Sequence, residues 1–331
     1  VDIEEGAVDI ARLRFWLSLV VDEEKPRPLP NLDYKIMQGN SVVESFKGID
    51  LSNVSVGNNL KIAELDRDLF GNIKEDQLKL TFDNAGITES IEEKTKKYFT
   101  ASVNEKPKLK RVINNLVIEF IEYNIELRQN QIERFISQIE TENKNISKIS
   151  KTQKKKYDEW LSIRKALIEN KSELKDIQNK DKKPFFLWHL FFADVFKEGG
   201  FDIIIGNPPY IKEYTSKEAF LEFRNSKYYQ GKMDLWYGFA CKGIDWLKDN
   251  GIQCFIAQNN WITSAGASIF RNKVLKETKI KLFTDFWNYK VFESAGIQTM
   301  IYLLKKEVPK TRYSLKYSLL KNDRIKKREL A

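Results

Sequence analysis

The sequence predicts an α/β fold: a doubly wound, mostly parallel sheet with a long α-helical insertion. Three observations carry this. From Phe185 onward short apolar runs alternate with helical patterns, the order expected of β-α units. Phe201 to Gly206 is apolar without alternation, as in a strand covered on both faces. Between residues 60 and 180 the apolar period changes to three and four residues, the helical spacing.

The elements follow in order. Val1-Asp2-Ile3 reads as the tail of a buried strand, and Ala7 to Val21 as a helix with Ile10, Leu13, Leu17 and Val20 at helical spacing. Pro26, Pro28 and Pro30 form a connector, Tyr34 to Met37 a short strand, and Gly39-Asn40-Ser41 its end. Leu109, Val112, Ile113, Leu116, Val117, Phe120 and Ile121, continued by Ile132, Phe135, Ile136 and Ile139, predict one long amphipathic helix. Trp160 to Ile177 supplies an antiparallel partner. Beyond the strand at 201–206 come a helix (Leu235 to Lys248), a turn at Asn250-Gly251 and a strand (Ile252 to Ala257). A helix (Ile269 to Glu277) and strands at Leu282 to Trp287 and Thr299 to Leu304 complete the pattern. The expected organisation is an α/β core in two pieces, 1–59 and 185–305, a helical insertion at 60–184 and a basic C-terminal segment at 306–331.

Composition narrows the function classes. With 42% hydrophobic residues in 331, the chain can bury a core, which excludes a disordered or fibrous protein. Lys and Arg number 56 against 47 Asp and Glu, and the surplus sits in two places. Residues 144–183 carry 13 basic and 6 acidic side chains, and residues 305–331 carry 10 and 3. Such runs read as a solvated hairpin face or as contacts to a polyanion, with Lys180 to Lys183 and Lys326-Lys327-Arg328 as phosphate candidates. Two cysteines, Cys241 and Cys254, cannot make a disulfide framework, which fits a cytoplasmic protein. The single His189 excludes a His-rich metal centre, and Phe185 to Phe196 is too short to span a membrane. Asp33-Tyr34-Lys35 gives an isolated D-x-K without a Pro-Asp partner, so it reads as a polar strand edge and not as a nuclease centre.

The chemistry sits in Asp202-Ile-Ile-Ile-Gly-Asn207-Pro208-Pro209-Tyr210, where a buried strand ends. Open α/β sheets place ligands at the carboxyl ends of strands. Two prolines fix two φ angles and remove two donors, leaving a stiff turn with outward carbonyls. Asn207 adds an amide oxygen, and Tyr210 an aromatic face. Acceptors beside a stacking ring suit an exocyclic amine on a nucleobase. Its lone pair is delocalised into the ring, so it needs two acceptors to reach a reactive geometry. A base reaches such a pocket only after leaving the stack.

These residues resemble the S-adenosylmethionine-dependent N6-adenine DNA methyltransferases, and the insertion resembles the type IIG restriction–modification enzymes. The resemblance covers residues 1–46 and 185–305 and implies a Rossmann-like methyltransferase sheet. It implies catalytic Asn207, Pro208, Pro209 and Tyr210, with Tyr210 and Phe292 of Lys290-Val291-Phe292 clamping the target base. Val1-Asp2-Ile3-Glu4 matches the segment whose acid binds the cofactor ribose, implying Asp2. Gln38-Gly39-Asn40-Ser41 implies Asn40 on the cofactor adenine amine, and Met233-Asp234-Leu235-Trp236-Tyr237-Gly238-Phe239 implies Phe239 packed on its ring. The cofactor is S-adenosylmethionine and the partner double-stranded DNA. No metal is required, since the sulfonium is already a good leaving group. The family's glycine-rich cofactor loop and first strand would precede Val1, so the sheet is expected to be incomplete at its N-terminus. Target-recognition and nuclease modules are expected outside this fragment. Two other readings stand: the same motif also serves methyltransferases acting on RNA or protein glutamine, and a fragment without the cofactor loop could be a non-catalytic DNA-binding module.

Overall fold

The computed structural model describes residues 1–2, 4–21, 31–46, 49–51, 85–142, 149–178, 186–292 and 296–321. Ile3, the connector at Pro26, Pro28 and Pro30, the Lys180 to Lys183 run and Lys326-Lys327-Arg328 lie outside the described residues. The chain divides into two compact units, Val1–Ala193 and Asp194–Ala331.

The first unit opens with α1 (Glu5–Val21), on which Val8 is buried while Ile10, Leu13, Leu17 and Val20 are exposed. The expected strand at Tyr34 to Met37 is a turn instead. Asn31 Oδ1 accepts the Asp33 amide at 2.8 Å, and Leu32 O accepts the amides of Lys35 and Ile36 at 3.1 and 3.0 Å. With these groups bonded locally and Tyr34 at φ +60°, no ladder can run through the segment. Asp33 therefore lies in a turn and not on a strand edge, where its carboxylate accepts the Tyr98 hydroxyl at 2.5 Å. Among the described residues, sheet pairing here is one parallel bridge, Asp2 to Gln38, followed by a hairpin of β1 (Ser45–Phe46) and β2 (Ile49–Asp50).

Three helices follow: α2 (Ala85–Thr100), α3 (Lys106–Glu142) and α4 (Lys151–Gln178). Ser102 and Glu105 start α3, Ser102 N and Oγ both donating to Glu105 Oε2 at 3.1 and 2.7 Å, a cap for otherwise unsatisfied donors. α3 and α4 run antiparallel. Tyr157 donates to Glu140 at 2.8 Å, Phe135 stacks on Trp160 at 4.9 Å and Lys171 meets Glu126 at 2.5 Å, so numbers rise on one helix as they fall on the other. Ile113, Val117, Ile121, Ile125, Ile132 and Ile136 form the buried stripe of α3 and pack with Leu167, Leu174 and Ile177 of α4. This is the amphipathic hairpin that the three-and-four spacing predicts. α5 (Trp188–Phe191) closes the unit, and α6 (Ala193–Lys197) lies at the boundary.

The second unit is a five-stranded α/β sheet. Its elements are β3 (Phe201–Gly206), α7 (Leu235–Trp246), β4 (Leu247–Gln258), α8 (Ser268–Glu277), β5 (Thr278–Asp285), β6 (Thr299–Lys306) and β7 (Lys316–Leu319). The strand order is β3-β4-β6-β5-β7. β3 and β4 pair in parallel, as do β5 and β7, while β6 is antiparallel to both its neighbours. Four strands thus point one way and β6 alone is reversed, the mostly parallel arrangement expected. The Asn250-Gly251 turn appears as a bulge in β4: Asn250 takes φ +67°, and the register jumps from Phe201↔Leu247 to Ile203↔Ile252. The core is aromatic. Trp236 of α7, Phe270 of α8, Trp261 and Tyr302 of β6 are buried and in mutual ring contact.

Candidate functional site

β3, β4 and β5 run in the same direction, so the segments after Gly206, Gln258 and Asp285 all leave one end of the sheet. Asn207-Pro208-Pro209-Tyr210 is the first of these. Pro208 is buried, whereas Asn207 and Pro209 are exposed and Tyr210 is half-buried. The Tyr210 hydroxyl lies 2.8 Å from Asn207 Oδ1 and 2.9 Å from Ile256 O. It has one proton, so it can donate to only one of these acceptors at a time. The contact orients the Asn207 amide and fixes the loop against the end of β4. Burial, with a smaller push from the nearby Asp234 carboxylate, raises the Tyr210 hydroxyl to about 12, so it remains a donor near neutrality.

The chain after Tyr210 is stapled to the segment leading into α7. Leu235 N donates to Ile211 O at 2.8 Å, and Glu213 N to Met233 O at 3.0 Å, around the Lys212–Asp234 bridge. Glu213 tightens the staple, since its carboxylate accepts the Tyr229 hydroxyl and the Lys232 amide. α7 then carries Phe239, which is half-buried while Trp236, Tyr237, Gly238 and Ala240 around it are buried. Phe239 is thus the accessible ring of that turn. The segment after β5 bears Trp287 at φ +47° and, farther on, the half-buried Phe292.

Asp2 and Asn40 belong to the first unit, where the fold brings them to adjoining positions. Gly39 N donates to Asp2 O at 2.8 Å, and Asp2 N to Met37 O at 3.2 Å. The Asp2 side chain is exposed, with Oδ1 accepting the Glu4 amide at 2.9 Å. Asn40 Oδ1 accepts the amides of Val42 and Val43 at 3.0 and 3.4 Å, so the amide is partly engaged in shaping its own turn. That turn is anchored by residues the sequence did not mark. Glu44 is buried and takes the His189 amide at 2.8 Å and His189 Nδ1 at 2.6 Å, and Trp188 Nε1 donates to Ser41 O at 3.2 Å. The uniqueness of His189 is legible in the sequence, but the burial of Glu44 and its pairing with His189 are not. Gly39 is required by close approach: a Cβ there would lie 2.2 Å from Phe186 Cβ. Gly39→Ala is therefore expected to cost about 2 kcal/mol of stability by overpacking. Chemical denaturation checks this, and an unchanged midpoint would contradict the packing described.

Asp234 and Gly266 were also missed. Asp234 is 3% exposed and its Oδ1 finds no hydrogen-bond partner among the described residues. Gly266 lies against the backbone of Lys232. Among the described residues no group of three or more His, Cys, Asp and Glu is arranged to hold a metal, and no helix is long and apolar enough to cross a membrane.

Comparison with known proteins adds the following. Over 337 residues the chain is 26% identical to a Methanocaldococcus jannaschii protein, RM.MjaORFECS2P, provisionally named a type II restriction enzyme and methyltransferase. The match covers 94% of this chain and 26% of that protein, so the chain spans about a quarter of the relative's length. Partial likeness extends to a provisionally named class I S-adenosylmethionine-dependent methyltransferase from Listeria monocytogenes, with a TM-score of 0.30, 15% identity and coverage of 48% of this chain and 47% of that one. The type IIG restriction endonuclease BpuSI matches with a TM-score of 0.28 and 14% identity, over 34% of this chain and 14% of that one. The profile of the Eco57I restriction-modification methylases matches residues 1–292, most of the length, and the chain belongs to the Eco57I restriction-modification methylase family.

Proposed function

We propose that this chain is the methyl-transferring part of an adenine-specific DNA methyltransferase in a restriction–modification system, acting on the exocyclic N6 amine of an adenine flipped out of duplex DNA. The observation that carries the reading is the Asn207-Pro208-Pro209-Tyr210 loop at the carboxyl end of β3, with Asn207 exposed and its amide oriented by the Tyr210 hydroxyl. Membership of a methylase family supports the reaction type.

Asn207 Oδ1 and the Pro208 carbonyl accept the two amine hydrogens, drawing the lone pair out of the ring and toward the methyl group. The Tyr210 ring and the Phe292 ring cover the base faces, offsetting part of the unstacking cost. When the amine arrives, the Tyr210 proton can turn to Ile256 O without losing a hydrogen bond.

The donor set fits S-adenosylmethionine. The exposed Asp2 carboxylate suits two ribose hydroxyls, Phe239 presents the accessible ring of α7, and Asn40 Oδ1 can accept an adenine amine by releasing the longer of its two backbone contacts, the one from Val43 at 3.4 Å. When bound, that cofactor supplies an electrophilic methyl group on a sulfonium. Residues 1–59 and 185–305 form the core in this reading, 60–184 the insertion and 306–331 a basic segment. Double-stranded DNA is the partner in this reading, and the cytoplasm the place of action.

Transfer of tritiated methyl from the cofactor to adenine-containing duplex DNA, ribosomal RNA and protein, compared in parallel, tests the substrate class. Label is expected in the duplex alone. Label in RNA or protein glutamine would replace this reading with the alternative activity of the same motif.

A further inference from the structure

Asp234 is an anomaly in the second unit. Its side chain is almost completely enclosed, its Oδ1 has no hydrogen-bond partner among the described residues, and no cation lies within ion-pair distance of it among them. A less enclosed acid of this unit finds its partners. Asp245, for comparison, holds Lys273 at 2.8 Å and the Tyr228 hydroxyl at 2.5 Å. An enclosed carboxylate without such partners is costly, and an apolar or amide side chain would serve the fold better.

Its place is informative. Asp234 forms the antiparallel bridge with Lys212, two residues beyond Tyr210, inside the staple that fixes the catalytic loop to α7. Its field reaches the Tyr210 hydroxyl, which in turn bonds Asn207 Oδ1, the atom assigned to the target amine. The groups facing it are Lys212 and Tyr210 from the loop and Tyr237 from α7.

We propose that Asp234 is the buried counter-charge of the catalytic loop, positioned to favour the positive charge that develops on the target amine at Asn207. The inference rests on the amine-methylation reading above. As the amine nitrogen bonds the methyl carbon, the carbon–sulfur bond breaks. One positive charge thereby passes from sulfur to nitrogen and then leaves as a proton to water. A fixed anion behind the loop favours nitrogen-centred charge in a low-dielectric setting, where a single unit charge can change a rate by about tenfold. Asp234 touches neither the base nor the methyl group, so it is a positioning residue.

Desolvation raises the Asp234 carboxyl to about 6, against smaller opposing effects of the Lys212 charge and the Leu235 amide. Below that value the counter-charge is neutralised. Because the folded-state value lies above that of the unfolded chain, ionised Asp234 costs stability as pH rises through the interval between them.

The experiment is single-turnover methyl transfer to adenine-containing duplex DNA by the full-length protein, wild type and Asp234→Asn, from pH 5 to pH 8, with thermal melting of both. The wild-type rate is expected to fall about tenfold toward pH 5. Asp234→Asn is expected to be about tenfold slower at pH 8, to lack that acid limb, and to melt at a higher temperature than wild type, by more at pH 8 than at pH 5. A variant that keeps the acid limb, or that melts lower at pH 8, overturns the proposal by making Asp234 a structural residue. If Asp234→Asn does not fold, Asp234→Leu takes its place in both measurements with the same expectations, and a failure of both to fold also overturns the proposal. A wild-type protein that methylates no adenine overturns the underlying reading instead, so the two failures are distinguishable.

Discussion

Asn207→Ala in the full-length protein is expected to lower methylation of adenine-containing duplex DNA by about a hundredfold or more, the scale of removing one preorganised hydrogen-bond partner of a reacting group. DNA affinity should stay within about twofold, because phosphate contacts dominate affinity and Asn207 would act on the flipped amine. The structure gives a reason to expect a clean result. Asn207 is exposed, and the side-chain hydrogen bond it accepts from Tyr210 has a ready substitute in Ile256 O at 2.9 Å. The loop should therefore keep its shape when the amide is removed. Single-turnover rates and DNA titrations measure the two quantities. Normal methylation by this variant would rule out a catalytic role for the loop at 207–210.

Gly266→Ala should have the largest effect on stability. A Cβ there would lie 2.2 Å from the Lys232 carbonyl oxygen and 3.0 Å from Met233 Cα, and neither atom is the movable end of a side chain. The facing segment is itself constrained. Gly231 and Lys232 take φ +76° and +47°, Gln230 Nε2 donates to Ala265 O at 2.8 Å, and Gln230 Oε1 accepts Ser268 Oγ and the Ile269 amide at 3.0 and 2.8 Å. Backbone must yield, at an expected cost of about 3 kcal/mol. The displaced Lys232-Met233-Asp234 stretch pairs with the segment after Tyr210, so on the proposed function methyl transfer should fall as well. The denaturation midpoint reads the first effect, and a midpoint equal to wild type would show that the loop is not packed as described.

What the sequence made legible was local or long in period. Asn207 to Tyr210 stood out because two adjacent prolines after a β-branched run have few structural uses. The α3–α4 hairpin stood out because its apolar spacing persists for many turns. Other features were hidden for identifiable reasons. α8 passes into β5 at Thr278 with no Gly or Pro between them, so the strand begins four residues before the predicted Leu282. β7 is a short, exposed and basic edge strand without an apolar signature. The turn at Asp33 to Lys35 was masked by Tyr34 and Ile36, residues of high strand propensity overruled by the Asn31 cap. Asp234 could be read as the start of a helix but not as enclosed, because its burial comes from the pairing of residues 211–213 with 233–235.

The proposed reaction modifies one atom of one base. Duplex DNA methylated by the full-length protein with tritiated S-adenosylmethionine, digested to nucleosides and separated, tests it directly. Label is expected in N6-methyladenosine of the deoxy series and is expected to be lost with Asn207→Ala. Label in any other nucleoside, or undiminished label with the variant, would contradict it.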